Sequence, residues 1–301
     1  MIRRILFAAA ACASIPAILG PQPAQAAVAA SAARTIQMAH ISVEVTGHGS
    51  PVILIPGLAS PRAVWEAFAP ELAKTHRVYL VQVNGFAGED PRDNLKPGIL
   101  AGLVADLHAL VAQEKLGAVP VVGHSMGGLT GLLWAKTHPG DLARLMVVDA
   151  LPFTGDIFVP GATVAQIEPQ GAAMRDQMIA SYGKPDKAGA EATAAILALK
   201  PESRAKVVAW SMAADSRVSG QAMYEDLTTD LRPGMASIQT PITLVYPWSA
   251  QLPKERADAF YHAEYAKAPH VSFVDIGDAA HFVMLDQPEA FRAALTAFLA
   301  N

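Results

Sequence analysis

A serine lies at the centre of a glycine-rich sequence whose spacing is typical of nucleophilic catalysis. The motif Gly-His-Ser-Met-Gly-Gly occupies residues 123–128, between the apolar run Val119–Val122 and the apolar helical pattern Leu129–Lys136. Such a strand-to-helix reversal leaves no room for side chains at the flanking glycines, and it holds the serine hydroxyl above the sheet edge. The sequence therefore predicts Ser125 as a nucleophile and the Met126 amide as a donor to a developing oxyanion. An ordinary glycine turn is the alternative interpretation.

A serine hydroxyl needs a base, and His281 is the best placed of the nine histidines. It follows the predicted strand Val271–Ile276 and precedes the last predicted helix, Pro288–Leu299. This order places it at the carboxyl end of a strand, where Ser125 is also expected. His124 is adjacent to the nucleophile in sequence, and we interpret it as structural. The remaining histidines show no spacing typical of a metal site.

An oxyanion needs a second donor, and the turn after an early strand can supply one. Pro56 and Gly57 end the apolar run Val52–Ile55, and Leu58 follows them. We predict that the backbone N–H of Leu58 is this second donor. The alternative is an ordinary turn at a strand end.

These residues need elements that place several strand ends side by side. Short apolar runs alternate with helical patterns along most of the chain. This alternation predicts an α/β fold with a mostly parallel sheet that helices cover on both faces. The predicted strands are Ile41–Val45, Val52–Ile55, Val78–Val83, Val119–Val122, Leu145–Val148, Ile242–Tyr246 and Val271–Ile276, and the further long helices are Ile99–Lys115 and Lys254–Lys267.

Residues 152–240 interrupt this alternation with short helical patterns that prolines separate. We predict an α/β core of residues 27–151 and 241–301, with residues 152–240 inserted before the last two strands as a helical cap or lid. The methionines of this segment either pack the cap against the core or form a binding surface for irregular apolar groups. They are Met174, Met178, Met212, Met223 and Met235.

The order of these features resembles the α/β-hydrolase superfamily over about residues 35–299. The Pro56-Gly57-Leu58 turn, the Gly-His-Ser-Met-Gly-Gly motif, the helical insertion and the late His281 carry the resemblance, and the motif is typical of esterases and lipases of this fold. Dehalogenases and epoxide hydrolases of the superfamily have an aspartate nucleophile, so Ser125 argues against both. Many members have His-Gly where this chain has Pro56-Gly57.

The resemblance also implies a triad acid, but this chain departs from the usual pattern. Members normally carry Asp or Glu just after the strand that matches Ile242–Tyr246, and here Ser249 stands in that region. Three alternatives follow. Asp149, after the preceding strand, orients His281, as the acid does in some members; Ser125 and His281 form a dyad, with Ser249 or water holding the imidazole; or Glu255 or another carboxylate reaches back.

The N-terminal residues predict an export signal. Two arginines precede the apolar run 5–19, and an Ala-Gln-Ala sequence ending at Ala26 follows it, a pattern typical of a secretory signal. A transmembrane anchor is the alternative, but the run is short for a bilayer span. We expect residues 1–26 to be removed, leaving a bacterial periplasmic or secreted protein with no integral membrane segment. The only cysteine, Cys12, lies in this signal, which excludes disulfides and thiolate chemistry from the mature chain.

Composition and charge limit the classes of partner. The chain is 52% hydrophobic and 17% charged, as globular proteins are, and its formal net charge of −4 leaves no basic stripe for nucleic acid. We expect a serine hydrolase that cleaves small-molecule carboxylic esters through an acyl-enzyme, with a hydrophobic group under the cap and no cofactor or metal. The alternatives are lactone, amide or C–C hydrolysis or perhydrolysis by the same groups, and a non-catalytic ligand-binding homologue.

Overall fold

One eight-stranded sheet organises the chain. The structure is a computed structural model, and it describes residues 33–300. The strands run in the spatial order β1-β2-β4-β3-β5-β6-β7-β8; β2 is antiparallel to both β1 and β4, and all other neighbours are parallel. The strands are β1 Arg34–Gln37, β2 Ile41–Gly47, β3 Ser50–Ile55, β4 His76–Val83, β5 Val119–His124, β6 Leu142–Val148, β7 Ile242–Trp248 and β8 Val271–Gly277.

The strands are apolar at consecutive positions because both faces of the sheet are covered. In β3, Ile53 and Ile55 belong to the hydrophobic core on one face, and Val52 and Leu54 belong to the core on the other. Successive side chains of a strand point to opposite faces, so a doubly covered strand needs a continuous apolar run. The predicted fold class, an α/β fold with a mostly parallel, doubly covered sheet, is confirmed.

The helices divide between the two faces of the sheet and the segment inserted between β6 and β7. Helices α2 and α3 contribute to the first core, and α10 contributes to the second. The helices are α1 Ala69–Leu72, α2 Ile99–Glu114, α3 Met126–Thr137, α4 Val164–Ala180, α5 Lys187–Leu197, α6 Pro201–Ala213, α7 Ser216–Thr228, α8 Lys254–Glu264, α9 Val283–Asp286 and α10 Pro288–Ala300.

Four helices, α4–α7, and two short 3₁₀ turns occupy residues 152–240, which we call the cap. The cap has a small hydrophobic cluster of its own around Phe153, Ile167 and Leu227. Of its methionines, Met174 and Met223 pack against this cluster, and Met235 is fully buried in the core of the sheet. These three therefore serve packing.

The structure differs from the sequence-based expectations at some element ends. Strand β1 was not predicted, because only one of its four residues is even partly buried and its apolar pattern is weak. Helix α3 begins at Met126, directly after the serine, rather than at Leu129. Helix α8 ends at Glu264 rather than at Lys267. The predicted export signal lies outside the described residues, and within residues 33–300 no helix is long and apolar enough to cross a bilayer.

Candidate active site

Ser125 occupies a strained turn between β5 and α3. Its backbone has φ 53° and ψ −124°, a region that residues with a side chain rarely adopt. The turn is held on both sides: the Ser125 amide donates to the Val148 carbonyl at 2.9 Å, and the Ser125 carbonyl accepts from the Gly128 amide at 2.7 Å. The surrounding structure therefore fixes a conformation that the residue alone would not choose.

Gly123 and Gly127, two of the three glycines of the motif, are required by space. A Cβ atom on Gly123 would lie 2.2 Å from the Gly127 carbonyl oxygen, and one on Gly127 would lie 2.5 Å from the Pro56 carbonyl oxygen. Real Cβ atoms do not approach backbone so closely. The turn therefore presses directly against the end of β3.

The segment after β3 lies beside the serine. A Cβ atom on Gly57 would lie 3.0 Å from Ser125 Cβ and 2.9 Å from Nδ1 of His124. Leu58 follows and is partly buried, and Met126 is almost fully buried at the first position of α3. The two predicted donor residues therefore lie on backbone segments that adjoin Ser125 from two sides.

His281 lies on the loop between β8 and α9, and its Nδ1 is 2.8 Å from Oδ2 of Asp149. Asp149 follows β6 at φ 47°, and its amide donates to the Val245 carbonyl at 2.8 Å. Both side chains are largely buried, with 24% and 12% exposed. A carboxylate on Nδ1 favours the tautomer that leaves Nε2 as the acceptor, which is the state a general base needs.

Of the three alternatives for the acid, the structure brings Asp149 to the imidazole. Ser249 instead closes its own turn: its Oγ accepts from the Gln251 amide at 3.2 Å, and its amide donates to the Leu252 carbonyl at 2.9 Å. Glu255 is exposed in the first turn of α8.

Tyr261 was not singled out from the sequence, and it holds the second oxygen of Asp149. Its hydroxyl donates to Oδ1 of Asp149 in a short hydrogen bond. Burial, together with the adjacent carboxylate, raises the pKa of Tyr261 well above its usual value, so the hydroxyl stays protonated and remains a donor. A tyrosine in the middle of an amphipathic helix, here α8, carries no local signal for this role.

His124 supports the loop that carries His281. It is fully buried, and its Nε2 donates to the His281 carbonyl at 3.0 Å. Burial, and secondarily the proximity of His281, holds the pKa of His124 well below its usual value. The ring is therefore neutral and acts as a single fixed donor, in agreement with the structural role expected for it.

A buried carboxylate that the sequence did not reveal fixes the same loop to the cap. Asp286, at the end of α9, is fully buried and accepts hydrogen bonds from the amides of Ala280, Leu199 and Lys200 at 3.1, 2.9 and 3.2 Å. Leu199 and Lys200 form the connection between α5 and α6. Asp286 thus holds the loop with His281 through the Ala280 amide, and it holds the α5–α6 connection of the cap through two further amides.

The groups converge on one cavity of about 440 Å³. Ser125, Asp149 and His281 line it together with apolar side chains of the cap and of α8. The apolar walls are formed by Leu151, Ile157, Leu252 and Phe260. None of the five methionines of the cap lines this cavity.

The sheet is mostly parallel and covered on both faces, and it carries a serine at a strand-to-helix turn with a histidine–aspartate pair nearby. This arrangement is typical of the α/β-hydrolase fold. The alpha/beta hydrolase family matches residues 52–294, and the chain belongs to this family. The chain is 25% identical over 265 residues to a pimeloyl-[acyl-carrier protein] methyl ester esterase of Xanthomonas campestris pv. campestris (strain B100), covering 86% of this chain and 98% of that protein.

Two further comparisons agree with this assignment. An enzyme described in the same words from Aeromonas hydrophila subsp. hydrophila is 34% identical over 116 residues, and that match spans 37% of this chain and 42% of the relative. A thermophilic esterase from Thermogutta terrifontis superposes with a TM-score of 0.73 at 22% identity, covering 89% of this chain and 98% of that one, which shows the shared fold.

Proposed function

We propose that this protein is a serine hydrolase that cleaves carboxylic esters through an acyl-enzyme intermediate. The observation that carries the proposal is the convergence of a strained Ser125 and the His281–Asp149 hydrogen bond on one cavity. The relatives described as methyl ester esterases support the ester as the substrate class.

The chemistry follows from the positions of these groups. Ser125 Oγ attacks the ester carbonyl carbon while Nε2 of His281 takes its proton, and the Leu58 and Met126 amides stabilise the oxyanion. The C–O bond then breaks, and His281 returns the proton to the leaving alcohol. Water repeats the sequence on the acyl-enzyme and releases the acid. Asp149 stabilises the imidazolium in both steps.

The cavity supports a substrate with an apolar group of modest size. A volume of about 440 Å³ lies within the usual range for small-molecule sites, and its side walls are largely apolar. The only support for the alternative of a non-catalytic binding protein is Ser249 in place of the usual acid. Oδ2 of Asp149, 2.8 Å from Nδ1 of His281, supports catalysis instead.

Hydrolysis of a series of p-nitrophenyl esters, from acetate to octanoate, tests this function. We expect turnover by the wild type, loss of at least about 10³-fold in Ser125→Ala, and wild-type rates in the control Ser237→Ala, an exposed serine of the cap. A fluorophosphonate probe should label the wild type and the control but not Ser125→Ala. Equal rates for the wild type and Ser125→Ala would refute the proposal.

We also propose that residues 1–26 direct export. The arginines, the apolar run and the Ala-Gln-Ala sequence support this proposal. N-terminal sequencing of protein recovered from the periplasm or medium should begin at Ala27, and an intact N-terminus in the cytoplasmic fraction would contradict it.

A further inference from the structure

The cap places a carboxyl group with incomplete hydrogen bonding in the wall of the cavity that holds Ser125 and His281. Asp226 lies on α7, and only 8% of its surface is exposed. It lines the cavity; within residues 33–300 its Oδ1 atom is enclosed by the protein and has no hydrogen-bond partner, while the Thr154 side chain hydrogen-bonds to the carboxyl group. None of the hydrolytic steps described above uses this residue.

This placement is costly to the fold. Burial raises the pKa of Asp226 to about 6, although the neighbouring Thr154 side chain and the charge of His281 both act in the opposite direction. A buried carboxyl without full hydrogen bonding is less favourable than an apolar side chain of similar size. Packing alone therefore does not explain an aspartate at this position.

The other carboxylates of the cavity are already partnered. Asp149 is held by His281 and Tyr261, and both oxygens of Asp156 accept from Arg232 at 2.8 and 2.9 Å. Asp226 is the member of this set whose two oxygens are not both hydrogen-bonded by the protein. Because the facing walls include apolar side chains, a single polar atom among them can fix the orientation of a ligand.

The chemistry of the site selects a neutral donor. A carboxylate accepts hydrogen bonds, so its partner must carry O–H or N–H. A cationic partner is disfavoured, because His281 becomes positively charged during the reaction and lies close enough to interact with the charge of Asp226. A hydroxyl group satisfies both conditions.

We propose that Asp226 is a specificity-determining residue that accepts a hydrogen bond from a hydroxyl group of the substrate, so that the preferred ester carries a hydroxyl a few atoms from its scissile carbonyl. This inference rests on the proposed ester hydrolysis. Asp226 binds the substrate and takes no part in bond breaking.

Pairs of esters that exchange a hydroxyl for a methyl or methylene group test this role. Three pairs vary the position of the hydroxyl: p-nitrophenyl 3-hydroxybutanoate with 3-methylbutanoate, p-nitrophenyl 6-hydroxyhexanoate with heptanoate, and 2-hydroxyethyl butanoate with propyl butanoate. The measurement is the ratio of kcat/KM for the hydroxy ester to kcat/KM for its apolar partner. Fluorophosphonate titration of Ser125 gives the concentration of folded sites.

We expect the wild type to favour the hydroxy ester of at least one pair, and Asp226→Leu to lower that ratio by about tenfold or more, since hydrogen bonds to charged groups are the stronger ones. Asp226→Asn, which keeps an acceptor oxygen, should lie between them and guards against misfolding of the leucine variant. Asp176→Leu, an exposed aspartate on α4, should leave the ratio unchanged.

Ratios that agree within twofold among the wild type, Asp226→Asn and Asp226→Leu for every pair would overturn this inference, while continued turnover of the apolar esters would leave the proposed hydrolysis intact. A stronger preference for p-nitrophenyl 4-aminobutanoate than for any hydroxy ester would overturn the inference that the group donating to Asp226 is uncharged. Absence of turnover of every ester by the wild type would remove both proposals.

Discussion

Replacing Asp149 by asparagine keeps its size but reverses its hydrogen bonding. Oδ1 of Asp149 accepts a hydrogen bond from Tyr261, and Oδ2 accepts one from Nδ1–H of His281. Because Tyr261 stays protonated, it favours the amide oxygen of an asparagine and turns the NH₂ group toward His281. Nδ1 must then accept, so the ring proton moves to Nε2, which can no longer take the proton of Ser125.

The expected magnitude is large because the pair is close and mostly buried. The Nδ1–Oδ2 distance is 2.8 Å, and 12% of the Asp149 side chain is exposed, so water cannot replace the lost charge readily. In the Ser-His-Asp triad of a serine protease, the wrong histidine tautomer lowers kcat about 10⁴-fold, which corresponds to about 5.5 kcal/mol. We expect Asp149→Asn to lose between about 10³- and 10⁴-fold in kcat, with little change in KM.

The assay measures kcat for hydrolysis of p-nitrophenyl butyrate, with the concentration of active sites determined by fluorophosphonate titration. Urea unfolding verifies that each variant is as stable as the wild type. Two matched variants isolate the effect. Tyr261→Phe removes the hydroxyl group but keeps the negative charge of Asp149, and it should lower kcat about tenfold. Ser249→Ala should retain wild-type kcat. A folded Asp149→Asn enzyme within tenfold of the wild type, or a large loss in Ser249→Ala, would refute this assignment of the orienting group.

Three further predictions concern the groups around the site. Gly127→Ala places a methyl group 2.5 Å from the Pro56 carbonyl oxygen and should lower the free energy of unfolding by about 3 kcal/mol in urea titrations, whereas Gly140→Ala, with open space around it, should change it by less than about 1 kcal/mol. Asp286→Ala leaves three amides without their acceptor, so we expect it to lower the free energy of unfolding by about 3 kcal/mol or more. We also expect kcat to fall, because the loop that carries His281 loosens; unchanged stability would contradict this. The folded-state pKa of Asp226, about 6, exceeds its ordinary value of 3.8, so its contribution to the free energy of unfolding is full below about pH 4 and is lost as pH rises through 6. As pH rises from 4 to 8, the free energy of unfolding of Asp226→Asn should therefore gain on the order of 3 kcal/mol relative to that of the wild type. Parallel pH profiles of stability for the two proteins would contradict the shift.

The fold and the tight turn that holds Ser125 were predictable because their signals are local. The strand, the glycines and the helix around Ser125 are consecutive in the chain, and the steric reason for each glycine can be stated without coordinates. The same holds for the apolar runs of the central strands, which reflect burial on both faces.

The partners of the histidine were not predictable to the same degree. Asp149 is 132 positions from His281, and only the order of strands in the sheet decides which strand end supplies the carboxylate. Tyr261 and Asp286 act through contacts that no spacing reveals, since each occupies an ordinary helical position. Their roles come from tertiary packing, which a single sequence does not encode as a pattern.

The cap shows the same division between local and long-range signals. Its helical character and its position between two core strands followed from the proline spacing and the absence of strand patterns. Which of its side chains reach the cavity did not follow: the methionines Met174, Met223 and Met235 pack internally, while Asp226, which gave no signal, lines the cavity wall.

The location of the charge behind the imidazole has a consequence for how this protein can diversify. Since Asp149 follows β6, none of the groups proposed for catalysis lies on the connection after β7, and one residue of that connection, Leu252, forms part of the cavity wall. An orienting acid on that connection would make any change of its length or composition a risk to the alignment of His281. Under the proposed function, substitutions at Leu252 and its neighbours can therefore change the shape of the cavity without moving Ser125, His281 or Asp149.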